Sequence, residues 1–582
     1  MRGSDVTRSA VLPASFGVLF LMISGTGAQV PGEGPGQSLL IQGGTLIDGT
    51  GRPPVDNAHV LIREGVIAHI TTSSGGATGN IEAIDARGKF IVPGLIDSHM
   101  HYRDWETELF LAYGVTSVND LGNPHYWQAA LKHGFNSGRM PGPRFFFGGE
   151  VVLPSEEAAQ NQRPTIVRRG LDVIHKPEDA PIIVSRLKES GADCIKLNEQ
   201  FSGDLFSAIA QAGDRIGLRV ISHSLNVTDS IRWGIRGVEH MEGIAVATAT
   251  SPRAKDAVAR MHLVAGHKNT PLYQWMEPAA FDRVIHDLVD RQVFVNPTLT
   301  FEWKAITEHR RDFEQEDLRL YSLPALSYVP LDDRLVILGQ YHWPDSRSAE
   351  EMRQFRDGYH HVQQFLAQFV RSGGRIYAGT DSSAATTPGL SMHQEMQLLV
   401  DAGLTPMQAL MAATSWGAEV MGQDRKLGTV EQGKLGDLVL LDANPLLDIT
   451  NTKKIFKVIK NGRVVDTAYH ADYEIAIKRP GPESKHLYNP VPVLRDVLPP
   501  IAVEATSASL RIVGRDFRPN SVVRLDGHVV ETRWVSATEL AARLTPQQTA
   551  RAGTFVLTVD TPRPGGGSSQ PAEFMVVFKQ ER

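Results

Sequence analysis

The chain has 582 residues, of which 42% are apolar and 21% are charged, and its formal net charge at pH 7 is −6. This length predicts about three folded units, each with its own core, and the mildly acidic balance without a long basic run argues against a nucleic-acid partner. The single cysteine, Cys194, excludes an intramolecular disulfide.

Residues 1–28 have the order of a signal peptide. Two arginines precede the apolar stretch "AVLPASFGVLFLMISG", and small residues follow it, which predicts cleavage after Ala28. We therefore expect an exported protein, periplasmic or secreted, with no stable membrane insertion after signal cleavage. The alternative is an N-terminal membrane anchor, although Pro13 interrupts an apolar run that is already short for a bilayer span.

Short strands are predicted in residues 38–93, where Gly and Asp-Gly turns separate alternating apolar runs. The same pattern returns in residues 425–466, within "GKLGDLVLLDANP" and "IFKVIKNGRVVD". The two stretches share this pattern of short strands and turns, although more than three hundred residues separate them.

Strands and helical stretches alternate between residues 94 and 424. The strand candidates are residues 91–101, "GVTSVNDLG", "RFFFGGEVV", "ADCIKLN", "RVISHS", "GVEHMEG", "VFVNPTLT" and "RIYAGTDS". Eight β/α units in about 330 residues predict a (β/α)8 TIM barrel and the α/β fold class. The loop after "VFVNPTLT" is unusually long, which predicts a lid over the active face.

The C-terminal part reads as a separate unit. A Pro-rich stretch over residues 467–496 predicts a linker. Short apolar strands then recur over residues 497–580, and their spacing predicts a small antiparallel β-sandwich.

Ionisable residues stand at the ends of the predicted barrel strands. His99 and His101 are two residues apart at the end of the first strand, so both side chains point to the same side, and converging neutral imidazoles suit a metal ion. Further residues of this kind end the fourth, fifth, sixth and eighth strands: Lys196, His223, His240 and Asp381. Singly, each has a structural explanation, such as a hydrogen-bonded core histidine or a helix cap at Asp381. Six on one edge are costly to bury without a ligand, and we predict a metal site.

Several motifs in order resemble the metal-dependent amidohydrolase superfamily, most closely its imidazolonepropionase-like and Xaa-Pro dipeptidase branch. The resemblance covers residues 38–466 and rests on "PGLIDSHMH", "GVTSVNDLG", "VEH", "AGTDS", "AGLTPMQALMAATSWGAEVMG" and "LGTVEQGKLGDLVLLDANPLLDI". It implies that residues 94–424 form the barrel and that residues 38–93 and 425–466 together form one composite β-sandwich.

The same resemblance implies a site with two divalent metal ions. His99, His101 and Asp381 would hold the more buried ion, His223 and His240 the more exposed one, and Lys196, carboxylated by CO2, would bridge both. Nitrogen and oxygen ligands suit Zn²⁺ best, with Mn²⁺, Co²⁺ or Fe²⁺ as alternatives. Some relatives bind one metal, so occupancy stays open.

The implied activity is hydrolysis of a C–N bond in an amide, peptide or cyclic amide, with Asp381 as the proton shuttle. We expect a small-molecule or dipeptide-like substrate, as for a dipeptidase or an N-acyl amino acid hydrolase. Candidate substrate-binding residues are Tyr102, Arg103, which could clamp a carboxylate, and His393. Lactonase or esterase activity stays open. Lys196 argues against a deaminase, and six retained ligand residues argue against a non-catalytic interaction protein.

The C-terminal unit resembles an IPT/TIG immunoglobulin-like domain across about residues 497–578, on "LRIVGRDFRPNSVVRLDG" and the segment that follows it. Such modules act as spacers or binding platforms, so a partner of unknown kind stays open. A homo-oligomer also stays open.

Overall fold

The computed structural model describes residues 38–73, 81–123, 125–153, 172–197, 201–263, 268–382, 385–477, 491–562 and 567–579. The predicted signal peptide lies outside these ranges. Within them, no helix combines the length and the apolar character needed to cross a bilayer.

A ring of parallel strands forms the centre of the chain. In chain order its strands are Leu95–Met100, Val115–Asp120, Arg144–Val152, Cys194–Leu197, Arg219–His223, Gly237–Glu239 and Phe294–Asn296, with a short extra strand, Asp172–Val173, beside the third. Residues 375–382 supply the eighth position. Tyr377 N donates to Val295 O (3.1 Å) on one side, and Ser98 N donates to Ala378 O (3.0 Å) on the other. The predicted (β/α)8 barrel is confirmed.

Helices surround this ring and fill the long connection after its seventh strand. They are Thr107–Ala112, His125–Asn136, Ala180–Glu189, Gly203–Ile216, Val227–Trp233, Glu242–Thr248, Pro252–Ala259, Phe281–Asp290, Leu299–Trp303, Arg310–Tyr321, Leu331–Gly339, Ala349–Arg371, Leu390–Asp401, Pro406–Ala412 and Ser415–Val420. The longest begins with a reciprocal capping box between Ser348 and Glu351, which pairs backbone donors that a helix start otherwise leaves without partners.

The connection after the seventh strand is more ordered than the predicted loop. It holds four of the helices above, and Leu320, Tyr321 and Ile337 from two of them are buried against Trp105 and Leu390. The sequence there is polar, with widely spaced apolar residues, so its helices depend on this tertiary contact. Trp105 follows the first barrel strand and Leu390 follows the eighth, so the insertion packs on the face where the strands end.

The two strand-rich flanks form one sheet. The strands are Ser38–Leu46, Val55–Arg63, Val66–Thr71, Glu82–Asp85 and Phe90–Pro93 from the first flank, and Leu438–Leu441, Ile455–Lys460 and Arg463–Val464 from the second. Leu438–Leu441 pairs antiparallel with Phe90–Pro93 and joins the flanks. Their apolar faces form a separate core, as the resemblance implied.

A buried ion pair connects this sheet to the barrel. Arg144, at the start of the third barrel strand, donates from Nε (3.1 Å) and Nη2 (2.9 Å) to Oδ2 of Asp437. The two side chains are 10% and 4% exposed. Asp437 also accepts from the backbone N of Asn461 at 2.7 Å. Desolvated charges of this kind depend on each other, because removal of one leaves the other buried without a partner.

We expect Asp437→Ala to lower the free energy of unfolding of the barrel unit by about 3–5 kcal/mol, because Arg144 would stay buried without a counter-charge. Urea unfolding followed by tryptophan fluorescence measures the change. The matched control is Asp85→Ala, whose partner Arg87 is 80% exposed; exposed pairs contribute little, so its midpoint should stay close to wild type. Equal effects of the two substitutions would contradict the proposed role of the buried pair.

The predicted linker is shorter at both ends than residues 467–496. Ile475 is 5% exposed within the barrel core, and Ile477 O accepts from Trp127 Nε1 at 3.0 Å. At the other end, Val493–Leu498 is already a strand of the C-terminal sheet. Apolar residues at both ends of the predicted linker are therefore buried against the two neighbouring units. Residues 478–490 lie outside the described ranges.

The C-terminal unit is a separate β-sandwich with its own core. Its strands are Val493–Leu498, Ile501–Val503, Ala508–Arg515, Val522–Leu525, His528–Ser536, Glu539–Leu544, Gly553–Thr561, Gly567–Ser568 and Ala572–Val577. Most pairings are antiparallel, and Ile501–Val503 runs parallel to Ala572–Val577. The strand His528–Ser536 has a weak alternation, because its exposed residues outnumber its buried ones.

Candidate metal centre

Four imidazoles meet at the carboxyl ends of the barrel strands. Ring centroids are 5.4 Å apart for His99 and His101, 5.2 Å for His99 and His240, and 5.1 Å for His223 and His240. The ligand atoms of His99, His223 and His240 lie within 4.8 Å of one another, and so do those of His99, His101 and Asp381. The cluster thus consists of two ligand groups that share His99.

Asp381 reaches this cluster because the eighth strand position is bonded to the first strand. Its backbone N donates to His99 O at 2.8 Å, and its Oδ1 lies 3.1 Å from His101 Nε2 and 3.7 Å from His99 Nε2. The backbone φ is 50° at Asp381 and 64° at His240. Side chains other than glycine rarely adopt this left-handed conformation, and such strain is concentrated at functional sites.

Lys196 completes the predicted set. Its side chain is fully buried, and Nζ lies 3.2 Å from His223 Nε2. Within the described ranges no carboxylate forms an ion pair with it, and burial lowers the pKa of its ammonium group. Burial thus makes the charged form less favourable than it is in water, and the neutral amine is the form that can react with CO2.

A second layer of polar residues fixes the imidazoles. Glu239 Oε2 lies 2.5 Å from His99 Nδ1 and accepts from Asn296 Nδ2 at 2.8 Å, while Oε1 accepts from Tyr377 OH at 2.9 Å. Burial alone would raise the pKa of Glu239, but the contact with His99 outweighs it and holds the pKa below its usual range. The carboxylate therefore accepts from Nδ1–H of His99 and directs Nε2 towards the cluster.

His240 has a corresponding partner, because its Nδ1 lies 2.6 Å from Thr298 Oγ1. Sequence reasoning did not find Glu239, Asn296, Thr298 or Tyr377. The sequence does contain a signal for two of them. The acid of "VEHM", Glu239, and the amide of "VFVNP", Asn296, are polar residues inside apolar strands.

Gly122 makes room for His101. A Cβ at this position would lie 2.6 Å from Nδ1 of the His101 ring, closer than any side chain tolerates. The glycine of "NDLGN" thus lets the ring of His101 stand at the mouth of the site, where its side chain is 31% exposed.

The pKa shifts in the cluster favour the protonation states that can bind a metal ion. Burial lowers the pKa of His240 to about 3 and that of His223 well below its usual value, so both rings are neutral at pH 7. For Asp381, burial would raise the pKa, but the imidazoles of His99 and His101 outweigh that effect and keep the pKa low. The centre therefore offers neutral nitrogen donors and an ionised carboxylate.

The residues fit a divalent metal ion. Two buried ring nitrogens, His99 Nε2 and His223 Nδ1, have no hydrogen-bond partner, and such atoms cost free energy when left unpaired. Both belong to the ligand groups above. Coordination of a metal would satisfy them, and nitrogen and oxygen donors suit Zn²⁺.

The structure corrects two of the predicted substrate-binding residues. Tyr102 is fully buried among Phe110, Trp127, Phe135 and Phe145, and its hydroxyl group bonds to Thr107. The strand ends at Met100, so the alternation of side chains stops before Tyr102, and its ring enters the core.

His393 is also buried, and both ring nitrogens are engaged. Nδ1 lies 2.8 Å from Thr452 Oγ1 and Nε2 lies 2.9 Å from Tyr113 O. It joins the helix Leu390–Asp401 to the turn at Ile449–Lys453 and has no free atom for a substrate. Arg103 is half-buried, and its Nε has no hydrogen-bond partner, so its role as a substrate clamp stays a prediction. Cys194 is buried, as expected for interior packing, and burial raises its pKa to about 12.

A (β/α)8 barrel whose strand ends gather histidines, a buried lysine and an aspartate has the architecture of a metal-dependent hydrolase. The sequence profile of the amidohydrolase family matches residues 90–465. The chain belongs to the amidohydrolase family, an enzyme family that typically binds divalent metals.

Similar proteins agree with this assignment. A dihydroorotase of Citrifermentans bemidjiense is 43% identical over 446 residues, which cover 70% of this chain and 90% of that protein. An uncharacterized protein of Mycobacterium tuberculosis is 39% identical over 93 residues, so the match spans 15% of this chain and only 14% of that protein. Among solved structures, a Xaa-Pro dipeptidase with bound methionine superposes with a TM-score of 0.52 at 20% identity, covering 74% of this chain and 100% of that chain. This last likeness concerns the fold alone.

Proposed function

We propose that the protein is an exported metal-dependent hydrolase of a C–N bond, acting on a dipeptide or an N-acyl amino acid. The observation that carries the proposal is the convergence of four imidazoles and the Asp381 carboxylate beside a fully buried Lys196. The similarity to a dihydroorotase, 43% identical over 446 residues, supports C–N chemistry.

Each ligand residue has a proposed position. His99, His101 and Asp381 would hold the more buried of two ions, preferably Zn²⁺, and His223 and His240 the more exposed one. Lys196 would bridge both after its amine nitrogen bonds to the carbon of CO2 and loses a proton. When bound, divalent cations supply Lewis acidity, which polarises a carbonyl and lowers the pKa of water.

The chain's own residues would move the proton and orient the substrate. Asp381, ionised and next to His101, accepts the proton of the attacking water and delivers it to the leaving nitrogen. Glu239 keeps His99 in the tautomer that points Nε2 towards the centre. Arg103, which is half-buried and whose Nε has no hydrogen-bond partner, is one candidate to bind a substrate carboxylate.

The C-terminal sandwich is proposed to be an IPT/TIG-like spacer or binding platform. Its separate core and the proline-rich segment before it support a unit that folds independently of the catalytic barrel. Export is supported by the order of charged, apolar and small residues in residues 1–28. N-terminal sequencing of protein recovered from outside the cytoplasm tests it, with cleavage expected after Ala28.

Metal analysis of the purified protein, combined with a hydrolysis screen of dipeptides, N-acyl amino acids and lactones, tests the function. We expect about two divalent ions per chain and C–N hydrolysis that a chelator removes and Zn²⁺ restores. Turnover of lactones alone would assign an esterase instead. A chain without metal or without any hydrolysis would contradict the proposal.

A further inference from the structure

A lysine outside the predicted ligand set stands close to the metal centre. Lys268 precedes the turn Thr270–Trp275, and its Nζ lies 5.1 Å from the centroid of the Phe301 ring. The Phe301 ring in turn lies 5.6 Å from the ring of His240. These two distances place the ammonium group within about 11 Å of a ligand ring, with a single aromatic side chain between them.

Among the described residues, this ammonium group has one hydrogen-bond acceptor. Nζ donates to Gln340 Oε1 at 2.8 Å, and Gln340 is a neutral residue of the insertion. Glu302 has the largest electrostatic effect of any acid on Lys268, but it accepts from Thr270 Oγ1 and from the backbone N of Asn269. Within the described ranges no carboxylate forms an ion pair with Lys268, so part of its donor capacity is unused.

The side chain of Lys268 is half-buried, so its ammonium group is partly removed from water. Burial lowers the pKa of Lys268, while the charges of Glu302 and Asp381 oppose that effect. A desolvated charge next to an aromatic ring keeps only part of its hydration. A ligand with one negative charge and an apolar portion would complement the ammonium group and the apolar ring of Phe301 beside the metal centre.

We propose that Lys268 is a specificity-determining residue that binds a carboxylate of the substrate. This inference rests on the proposed function and narrows its substrate class to amides that carry a carboxylate near the scissile bond and an apolar side chain that packs on Phe301. A carboxylate fits better than a phosphate, because a single ammonium group that is partly engaged by Gln340 matches one charge rather than two.

The test compares two ligands that differ only in this charge. The probes are N-methylsulfonyl-L-leucine and its carboxamide, with the corresponding phenylalanine and proline pairs, because a sulfonamide replaces the hydrolysable amide. Calorimetric titration into the full-length, Zn²⁺-loaded protein gives the two affinities. We expect the wild type to prefer the acid at least about tenfold, since a hydrogen bond to a charged group contributes on this scale.

Lys268→Met should weaken binding of the acid by about 10–100-fold and leave the carboxamide unchanged, while Lys268→Arg should retain part of the preference. Lys255→Met, at an exposed position of the helix Pro252–Ala259, is the matched control and should bind both probes as the wild type does. Lys268→Gln replaces the methionine variant if that variant loses its fold or its metal, as judged by circular dichroism and metal content.

A wild type that binds the two probes equally, or binds neither, would overturn the role of Lys268. The same holds if the preference persists in Lys268→Met. These results are separate from failure of the proposed function. A preference that depends on Lys268 in a protein without C–N hydrolysis would reject the function and keep the subsite, whereas intact hydrolysis with a preference independent of Lys268 would reject the subsite alone.

Discussion

Replacement of Lys196 by alanine is expected to remove one bound metal ion and to lower turnover by about 100-fold or more. The side chain is fully buried 3.2 Å from His223 Nε2, in the middle of the ligand residues, and loss of even an outer contact to a metal ligand commonly costs 10–100-fold. Metal content by mass spectrometry and kcat on the best substrate of the hydrolysis screen measure the two effects.

The control for this experiment is Lys255→Ala, an exposed lysine on a helix outside the site, which should keep both metals and full turnover. Partial rescue of Lys196→Ala by short carboxylic acids such as propionate would support a bridging carboxylate. Two retained metals per chain with near-normal turnover would instead show that Lys196 does not bridge.

Asp381→Asn is expected to lower kcat by about 10²–10⁴-fold, the usual range for loss of a general base. The amide keeps the shape and one oxygen donor but cannot accept a proton. Metal content should fall less than in His99→Ala, because His99 belongs to both ligand groups. Metal analysis and steady-state kinetics of both variants make this comparison.

The pH dependence supplies a second readout for Asp381. The imidazoles keep the pKa of its carboxyl group low against the opposing effect of burial, so the group is ionised throughout the neutral range and loses its base function only in acid. The acidic limb of the pH–rate profile should therefore change in Asp381→Asn. Wild-type kcat with both metals bound would assign the shuttle to another residue, and His393 is not available because both its ring nitrogens are hydrogen-bonded.

The sequence predicted the barrel and the residues that gather at its mouth because parallel strands end on one edge. A polar residue at the end of an apolar strand is visible without coordinates, and the positions of His99, His223 and His240 follow from that rule. The hydrogen-bond partners were not visible in this way. Glu239 points to His99, which lies 140 positions away in the chain, and such a pairing depends on strand order and on the rotation of each side chain.

The other differences between prediction and structure arise where tertiary packing overrides the local sequence pattern. Tyr102 follows the metal-binding motif directly and looked exposed to substrate, yet the end of the strand at Met100 turns its ring into an aromatic cluster. The insertion read as a loop because its sequence is polar, and its helices form around buried residues such as Tyr321 and Ile337. In both cases the burial of a few large side chains decides the conformation.

The sheet that joins the two flanks also constrains the order in which the chain can fold. Phe90–Pro93 finds its partner strand, Leu438–Leu441, only after the whole barrel has been synthesised, so it remains an unpaired edge during translation. Unpaired edges invite association with other chains, and pairings between distant segments slow folding. Complete synthesis brings both partner strands into one chain, whereas a fragment that ends before Leu438 would keep the unpaired edge and would be prone to aggregate.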